Sequence, residues 1–247
     1  VKKIKNFIDH ILLLFNFEKK YFEKEDISCE FVGHPLLENK ERSKIDINQI
    51  IGKNKALISV FAGSRKSEII VLMPILLDFI KLMNEKYNDM TYVFHSTKEY
   101  SQLIQSFINE STLTNCEIVS DDKIKSHILR KSIFAVAKSG TVSLEISNAK
   151  IPSIILYKMG FINFMIVKSL VKTKYANIIN FAANEEIIPE LLQSNCNSKN
   201  IFKYVSSFLD DPNKIKEQVK KVQNILDGLK TNGSSSELAS LSLNKFL

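Results

Sequence analysis

Short apolar runs of strand length alternate along most of the chain with longer segments whose apolar residues recur at helical spacing. From residue 56 onward the pattern predicts strands at 56–61, 91–95, 116–120, 132–137 and 152–157, with a weaker strand at 176–180. It predicts helices at 68–87, 97–109, 123–130, 141–149, 161–173, 186–193, 198–210 and 212–229, and a capping box at Ser234 and Glu237 begins a last helix. Regular alternation of this kind is typical of a parallel sheet with helices on both faces. The sequence therefore predicts a doubly wound α/β domain.

The beginning of the chain carries a smaller pattern of the same kind. Residues 1–9 are predicted to be helical, and strands at 10–15 and 28–32 flank a short helix at 18–24. This strand–helix–strand unit has nothing before it to pair with, so we interpret it as the tail of a preceding Rossmann-like domain. The chain opens with valine rather than methionine, and we expect that it begins inside a longer protein.

The predicted division of the chain has four parts. They are a remnant of the preceding domain at 1–40, a linker at 41–54, a Rossmann-like ligand-binding domain at 55–210 and C-terminal helices at 211–247. The linker is predicted because that stretch is rich in Lys, Asn and Asp and lacks apolar periodicity.

Composition excludes several classes of protein. Of the 247 residues, 45% are apolar and 25% are charged, as in an average globular domain with a sizeable core. Three widely spaced cysteines argue against a disulfide framework or a zinc site and favour a reducing compartment. His10, His95 and His127 lack the spacing of metal ligands, so no metal site is predicted. No signal-peptide pattern is present, and no run reaches the roughly 18 uncharged apolar residues of a membrane span.

The net charge of +7 favours anionic partners such as phosphates, nucleic acid or the anionic face of a membrane. The lysines are scattered and form no basic patch interleaved with aromatic residues, so nucleic acid is not a predicted partner. An apolar segment at 161–172 carries lysines at one end. It fits a helix that lies on a membrane surface, one that shapes an acyl pocket, or a plain core helix.

Gly63, Ser64 and Arg65 follow the first strand of the predicted domain and precede its first long helix. In doubly wound folds, ligands bind outside the carboxyl ends of the strands, where helix N-termini offer N–H groups to an anion. Gly63 lets the backbone approach a ligand, Ser64 adds a hydroxyl, and Arg65 supplies a planar fork suited to phosphate. The turn matches neither the phosphate-loop pattern nor G-x-G-x-x-G, and an ordinary turn would also explain it. We interpret it as the phosphate-facing turn of a nucleotide site.

A second candidate segment follows the strand at 132–137. Ser139, Gly140 and Thr141 would open a helix, and their N–H groups and hydroxyls could meet a diphosphate. Glu145 lies one helical turn further on, where a carboxylate can accept both hydroxyls of a ribose. An N-capped helix with a surface glutamate is the alternative, and the first turn at 63–65 favours the functional interpretation.

Weaker candidates are polar residues near the later strands. Tyr157 and Lys158 end a buried strand, where they could stack on a ligand or meet phosphate. Asn180, Glu190 and Gln193 carry hydrogen-bonding groups of the kind that read a base or a sugar, although each is individually more often a cap or surface residue. His34 lies between the two predicted domains, where it would line a cleft or simply form a turn.

Taken together, these segments resemble the lipid-A-disaccharide synthases, which are glycosyltransferases of the two-domain GT-B type. The resemblance rests on the order and spacing of several motifs over nearly the whole chain. The matching stretches are Phe31-Val-Gly-His-Pro-Leu36, Gly63-Ser-Arg65 with Glu68, Ser139-Gly-Thr141 with Leu144-Glu145, Tyr157-Lys158, Val171-Lys-Thr-Lys-Tyr175, Asn180 and Glu190-Leu-Leu-Gln193.

The resemblance implies a cytoplasmic enzyme that is peripheral on the inner membrane. The family transfers 2,3-diacylglucosamine from its UDP donor to 2,3-diacylglucosamine 1-phosphate (lipid X) during lipid A assembly and releases UDP. By analogy Arg65 would face the diphosphate, Ser139, Gly140 and Thr141 would support it, and Glu145 would hold the ribose. Asn180, Glu190 and Gln193 are carried over as donor-site residues. No cofactor and no phosphate-bridging metal are implied, and a homodimer is a further expectation.

Two residues depart from the family pattern, since Ala62 and Ile179 stand where the family usually has proline. The larger departure is that most of the family's N-terminal domain, which holds the acceptor and the expected general base, is not in this sequence. We therefore expect this chain to hold the donor site and to be inactive alone. The alternatives are another GT-B UDP-sugar enzyme, such as a 2-epimerase or a peptidoglycan glucosaminyltransferase, and a non-catalytic nucleotide-binding remnant.

Overall fold

The computed structural model describes residues 1–38, 56–160 and 173–246. Its strands are β1 (His10–Leu13), β2 (Ser28–Phe31), β3 (Ala56–Phe61), β4 (Met90–His95), β5 (Cys116–Val119), β6 (Ser132–Lys138), β7 (Ser153–Tyr157) and β8 (Glu190–Leu192). Its α-helices are α1 (Lys19–Glu23), α2 (Lys66–Lys86), α3 (Ser101–Glu110), α4 (Asp122–Lys131), α5 (Val142–Asn148), α6 (Ile178–Ala183), α7 (Ser198–Leu209), α8 (Pro212–Asp227) and α9 (Ser235–Leu243). The chain forms two compact units, one of residues 1–42 and 223–247 and one of residues 43–222.

The larger unit contains a six-stranded sheet in the order β5-β4-β3-β6-β7-β8. All of its neighbouring strands are parallel. The first strand of the unit, β3, lies at the centre, and the chain builds outward first through β4 and β5 and then through β6, β7 and β8. The direction of winding therefore reverses between β3 and β6, which is where doubly wound sheets bind ligands.

Apolar side chains cover both faces of this sheet. On one face, alternate residues of the central strands, such as Ile58 and Val136, pack with buried residues of α2, α3 and α7. On the other face, Leu57, Val93 and Val119 pack with Ile128 of α4. Central strands that are buried on both faces explain the nearly continuous apolar runs in the sequence. The predicted parallel sheet with helices on both faces is confirmed.

The smaller unit contains a two-stranded parallel sheet of β1 and β2, which α1 connects. Helix α9 belongs to the same unit: Ser242 Oγ donates a hydrogen bond to Glu30 Oε2 (2.6 Å), and Ser235 N donates one to Glu38 Oε1 (2.8 Å). The predicted strand–helix–strand pattern is confirmed, and so is the capping box at Ser234. The predicted helix at 1–9 is wrong, because only a single 3₁₀ turn forms there, at Lys2–Ile4. Nine residues directly before a strand are too few to sustain a helix by themselves.

Two predictions near the end of the sheet are also wrong. The segment predicted as a strand at 176–180 begins helix α6, because the Asn177 side chain accepts hydrogen bonds from the N–H groups of Ile179 and Asn180. The segment predicted as a helix at 186–193 contains strand β8, which pairs with β7 at the edge of the sheet. Short apolar runs do not distinguish helix from strand, and tertiary pairing decides between them.

The predicted linker at 41–54 lies outside the described residues, as does the predicted apolar helix at 161–173 except for its last residue. Among the helices of the described segments, none combines the length and the apolar character needed to cross a membrane.

Candidate functional site

The turns that follow β3 and β6 line one cavity of about 360 Å³ at the carboxyl edge of the sheet. Gly63, Ser64 and Arg65 lie on one side, and Ser139, Gly140, Thr141 and Glu145 lie on the other. The segments are brought together because β3 and β6 are hydrogen-bonded neighbours. The structure thus brings together seven of the residues that the sequence analysis selected.

Gly63 adopts a backbone φ of +118°, a conformation that favours glycine. A Cβ atom at this position would also lie 2.6 Å from Glu68 Oε2 and 2.8 Å from Glu68 Cβ. The close approach arises because Glu68, in the first turn of α2, folds back over the glycine turn. Gly63 is therefore required both by backbone conformation and by packing.

The substitution Gly63→Ala is expected to lower the free energy of unfolding by about 1–3 kcal/mol, since it adds backbone strain and displaces Glu68. Chemical denaturation of the purified variant measures this change. Gly140→Ala is the matched control, because no atom lies within 4 Å of the Cβ that it would add. An equal loss in both variants would contradict the special role of Gly63.

Glu68 connects the two turns that line the cavity. Its Oε2 accepts a hydrogen bond from Ser64 N (3.1 Å), and its Oε1 lies 2.8 Å from Lys138 Nζ, the last residue of β6. Arg65 Nη1 lies 3.8 Å from Glu68 Oε1, but the Arg65 side chain is 78% exposed and is only loosely held. The sequence analysis did not select Lys138. Its position at the end of a buried strand, directly before Ser139, is the signal that could have identified it.

The turn after β6 is held by hydrogen bonds to its neighbours. Ser139 N donates to Leu156 O (2.8 Å) and Ser139 Oγ donates to Ala176 O (2.8 Å), so this hydroxyl is engaged within the fold. Thr141 is exposed, and its hydroxyl makes no cap hydrogen bond to α5. Glu145 is exposed on α5 at the edge of the cavity. Thr141 and Glu145 are therefore the members of this segment that are most accessible to a ligand.

Tyr157, Lys158 and Gln193 lie at the ends of the next two strands and are not among the residues that line the cavity. Lys158 Nζ donates to the backbone oxygen of Cys196 (3.1 Å), and Gln193 Oε1 accepts from Met159 N (3.1 Å). The Tyr157 ring lies 5.6 Å from Lys138 Nζ and so reaches the site indirectly. A direct ligand contact by these three residues remains a prediction.

Asn180 and Glu190 bind each other and the surrounding backbone. Asn180 is fully buried, and its Nδ2 donates to Glu190 Oε1 (2.8 Å) and to Ile188 O (2.7 Å). The Glu190 carboxylate also accepts from the N–H groups of Ala176 (2.8 Å) and Asn177 (3.0 Å). In this structure the two side chains hold the segment between α6 and β8, and their role as donor-site residues remains a prediction.

His95 is a member of the site that the sequence analysis dismissed for lack of ligand spacing. It ends β4, lines the cavity, and its ring stacks on Phe61 with centroids 4.3 Å apart. Its Nε2 lies 2.8 Å from Ser59 Oγ, which lies 2.7 Å from Ser132 Oγ, and Ser132 donates in turn to Ile128 O. Because each hydroxyl has one proton to donate, Ser59 donates to Ser132 and accepts from His95 Nε2–H.

Burial, together with the charge of Lys125, lowers the pKa of His95 to about 3. The imidazole is therefore neutral near pH 7, with its proton on Nε2 and a lone pair on the buried Nδ1. The ring thus contributes an uncharged surface to the cavity rather than a cation.

His34 belongs to the smaller unit. Its Nδ1 accepts a hydrogen bond from Leu36 N (3.1 Å), and burial lowers its pKa, so the ring is neutral with its proton on Nε2. It lines a second cavity of about 360 Å³ with Glu38, Lys230 and Asn232. Its predicted position in an interdomain cleft remains a prediction.

No group of three or more His, Cys, Asp or Glu residues within the described segments is arranged to hold a metal ion. The donors of the main cavity are instead backbone N–H groups, hydroxyls and the cations Arg65, Lys125 and Lys138. A donor set of this kind suits an anionic ligand such as a phosphate ester.

The model of the lipid-A-disaccharide synthetase family matches residues 1–243. The chain belongs to this family. Lipid-A-disaccharide synthase of Rickettsia prowazekii (strain Madrid E) is 34% identical over 237 residues, which cover 94% of this chain and 62% of that protein. The corresponding protein of Sulfurihydrogenibium sp. is 30% identical, covering 98% of this chain and 66% of that protein. The chain therefore spans about three fifths to two thirds of the length of these relatives. The resemblance found in the sequence is confirmed.

Solved structures show the same fold at low sequence identity. The S. aureus MnaA–UDP complex superposes with a TM-score of 0.62 at 15% identity, covering 90% of this chain and 56% of that chain. S. aureus TarM in complex with UDP superposes with a TM-score of 0.56 at 14% identity, covering 99% and 45%. These neighbours and the sheet order confirm the predicted α/β fold of GT-B type.

Proposed function

We propose that the main cavity holds the uridine diphosphate of a UDP-sugar donor, and that this family member acts in lipid A biosynthesis. The observation that carries the proposal is that the turns after β3 and β6 line one cavity at the switch point of the sheet. The family match over residues 1–243 supports the choice of lipid A chemistry over the 2-epimerase and glucosaminyltransferase alternatives.

The proposed reaction joins 2,3-diacylglucosamine to lipid X. A hydroxyl of lipid X attacks the anomeric carbon of the donor, the bond from that carbon to the diphosphate oxygen breaks, and UDP leaves. Negative charge develops on the departing diphosphate, and preorganised cations and N–H donors at that position lower the barrier. Arg65 is proposed for this role because its exposed guanidinium has room to move onto a ligand.

The remaining parts of the activity are also proposals. The acceptor site and the general base are placed outside residues 56–222, since no side chain of the cavity is assigned to activate the acceptor. Acylated substrates and a net charge of +7 support a cytoplasmic protein that binds the anionic face of the inner membrane peripherally, with homodimer formation open to test.

Calorimetric titration of this chain with UDP tests the donor site. Saturable binding is expected for the natural sequence, and Arg65→Ala is expected to weaken it at least about tenfold, because a charge-assisted hydrogen bond to phosphate is lost. Arg130→Ala is the matched control, since Arg130 is exposed in the last turn of α4 and does not line the cavity.

A folded chain that binds no UDP, or an equal loss in both arginine variants, would overturn the donor-site assignment. The first outcome would favour a non-catalytic remnant. Competition with an acylated and a non-acylated UDP-sugar then separates lipid A chemistry from that of the other UDP-sugar enzymes, since a preference for the acylated donor is expected.

A further inference from the structure

Lys138 is a cation fixed in the wall of the cavity. Its side chain is 19% exposed, and its Nζ lies 2.8 Å from Glu68 Oε1, whose side chain is 14% exposed. The ammonium also lies 5.6 Å from the centre of the Tyr157 ring, which is within the range of a cation–π contact. The two contacts, on different elements, restrict where the ammonium can lie, in contrast to the exposed guanidinium of Arg65.

The carboxylate that holds Lys138 also takes the other donors of the site. Glu68 accepts from Ser64 N (3.1 Å) and lies 3.8 Å from Arg65 Nη1. A single acidic group thus bridges the turn after β3 and the end of β6. A bound diphosphate would present the same chemistry to these donors, namely anionic oxygens that accept from a backbone N–H and from cations.

The other lysine of the cavity is differently placed. Lys125 Nζ pairs with Asp122 Oδ1 (3.0 Å) on the same helix. An ammonium group has three N–H donors, and Lys138 directs one of them to Glu68. The remaining donors of Lys138 can therefore serve a ligand while Glu68 holds the side chain in position.

We propose that Lys138 binds the diphosphate of the sugar-nucleotide donor and that Glu68 positions it. This inference rests on the proposed function and adds a residue to it. Because Lys138 lies between the two turns, its ammonium would neutralise charge on the diphosphate while Arg65 approaches from the exposed side.

Binding of uridine and of UDP to the natural chain and to Lys138→Met tests the proposal. UDP binding is expected to weaken about tenfold or more in the variant, since a cation–phosphate contact is lost, whereas uridine binding stays within about twofold. Lys138→Arg is expected to recover part of the loss. Lys131→Met, which changes an exposed lysine just before the other end of β6, is the matched control and should bind UDP normally.

Removing Lys138 leaves the carboxylate of Glu68 without its closest cation, which could unfold the variant. The double variant Lys138→Met with Glu68→Gln removes both charges, and its folding is verified by thermal denaturation before titration. The same selective loss of UDP binding is expected there.

The outcomes separate the inference from the proposed function. If the natural chain binds neither uridine nor UDP, the proposed function fails and the inference fails with it. If the natural chain binds UDP and the folded Lys138 variants bind it equally well, only the inference is overturned. Equal weakening of uridine and UDP would also overturn it, because Lys138 would then merely support the shape of the cavity.

Discussion

Replacing Asn180 with alanine is expected to lower the free energy of unfolding by about 3 kcal/mol or more. The side chain is fully buried, and both ends of its amide are occupied. Oδ1 accepts from the N–H groups of Ile187 and Ile188, both at 2.9 Å, while Nδ2 donates to Ile188 O and Glu190 Oε1. Alanine would leave these groups buried without partners, and buried unpaired groups cost more than the net value of the bonds.

Urea denaturation of Asn180→Ala beside Asn109→Ala measures this effect. Asn109 lies on the exposed surface of α3 and accepts one hydrogen bond from Gln105, so its replacement should cost less than about 0.5 kcal/mol. Asn180→Asp is expected to be as damaging as alanine at neutral pH, because a second carboxylate would face Glu190 Oε1 at 2.8 Å. A loss below about 1 kcal/mol in Asn180→Ala would contradict the structural role.

The pair of Asn180 and Glu190 shows where sequence reasoning reaches its limit. Both are polar residues near the end of a strand, which is also what a ligand-binding residue looks like. What the sequence does not contain is the pairing of β8 with β7, which places Glu190 beside the backbone of Ala176 and Asn177. Whether a polar side chain serves the fold or a ligand depends on these tertiary partners.

Much of the fold follows from local pattern. The unit of β3, Gly63 and α2 is readable because its apolar spacing changes at a glycine, and the start of α9 is readable because Ser234 and Glu237 form a capping box. The errors at 176–180 and 186–193 arise where apolar runs are short. There, the Asn177 cap and the edge of the sheet decide the structure.

The candidate site divides in the same way. Turn residues such as Gly63 and Gly140 are marked by their position after predicted strands. Lys138 and His95 are not, because their importance depends on β3 lying between β4 and β6. That strand order allows Glu68 to reach Lys138 and Ser59 to reach His95, at separations in sequence that no local pattern encodes.

The stability of this chain is expected to decrease in acid partly because of His95. The pKa of His95 is about 3 in the folded chain and about 6.5, its ordinary value, in the unfolded chain. Between these values the unfolded chain binds a proton that the folded chain does not bind. The free energy of unfolding therefore falls by about 1.4 kcal/mol for each pH unit below about 6, and this loss is complete near pH 3.

Denaturation of the natural chain and of His95→Phe from pH 7.5 down to pH 4.5 isolates this effect. Phenylalanine keeps the stacking on Phe61 but cannot bind a proton, so the variant should lose less stability on acidification, by about 2 kcal/mol at pH 4.5. Ser59→Ala is the control: it removes the hydrogen bond to Nε2 but leaves the imidazole buried, so its curve should be displaced without a change of slope. Parallel curves for the natural chain and His95→Phe would show that His95 is protonated in the folded state, which would place a cation rather than a neutral ring in the cavity wall.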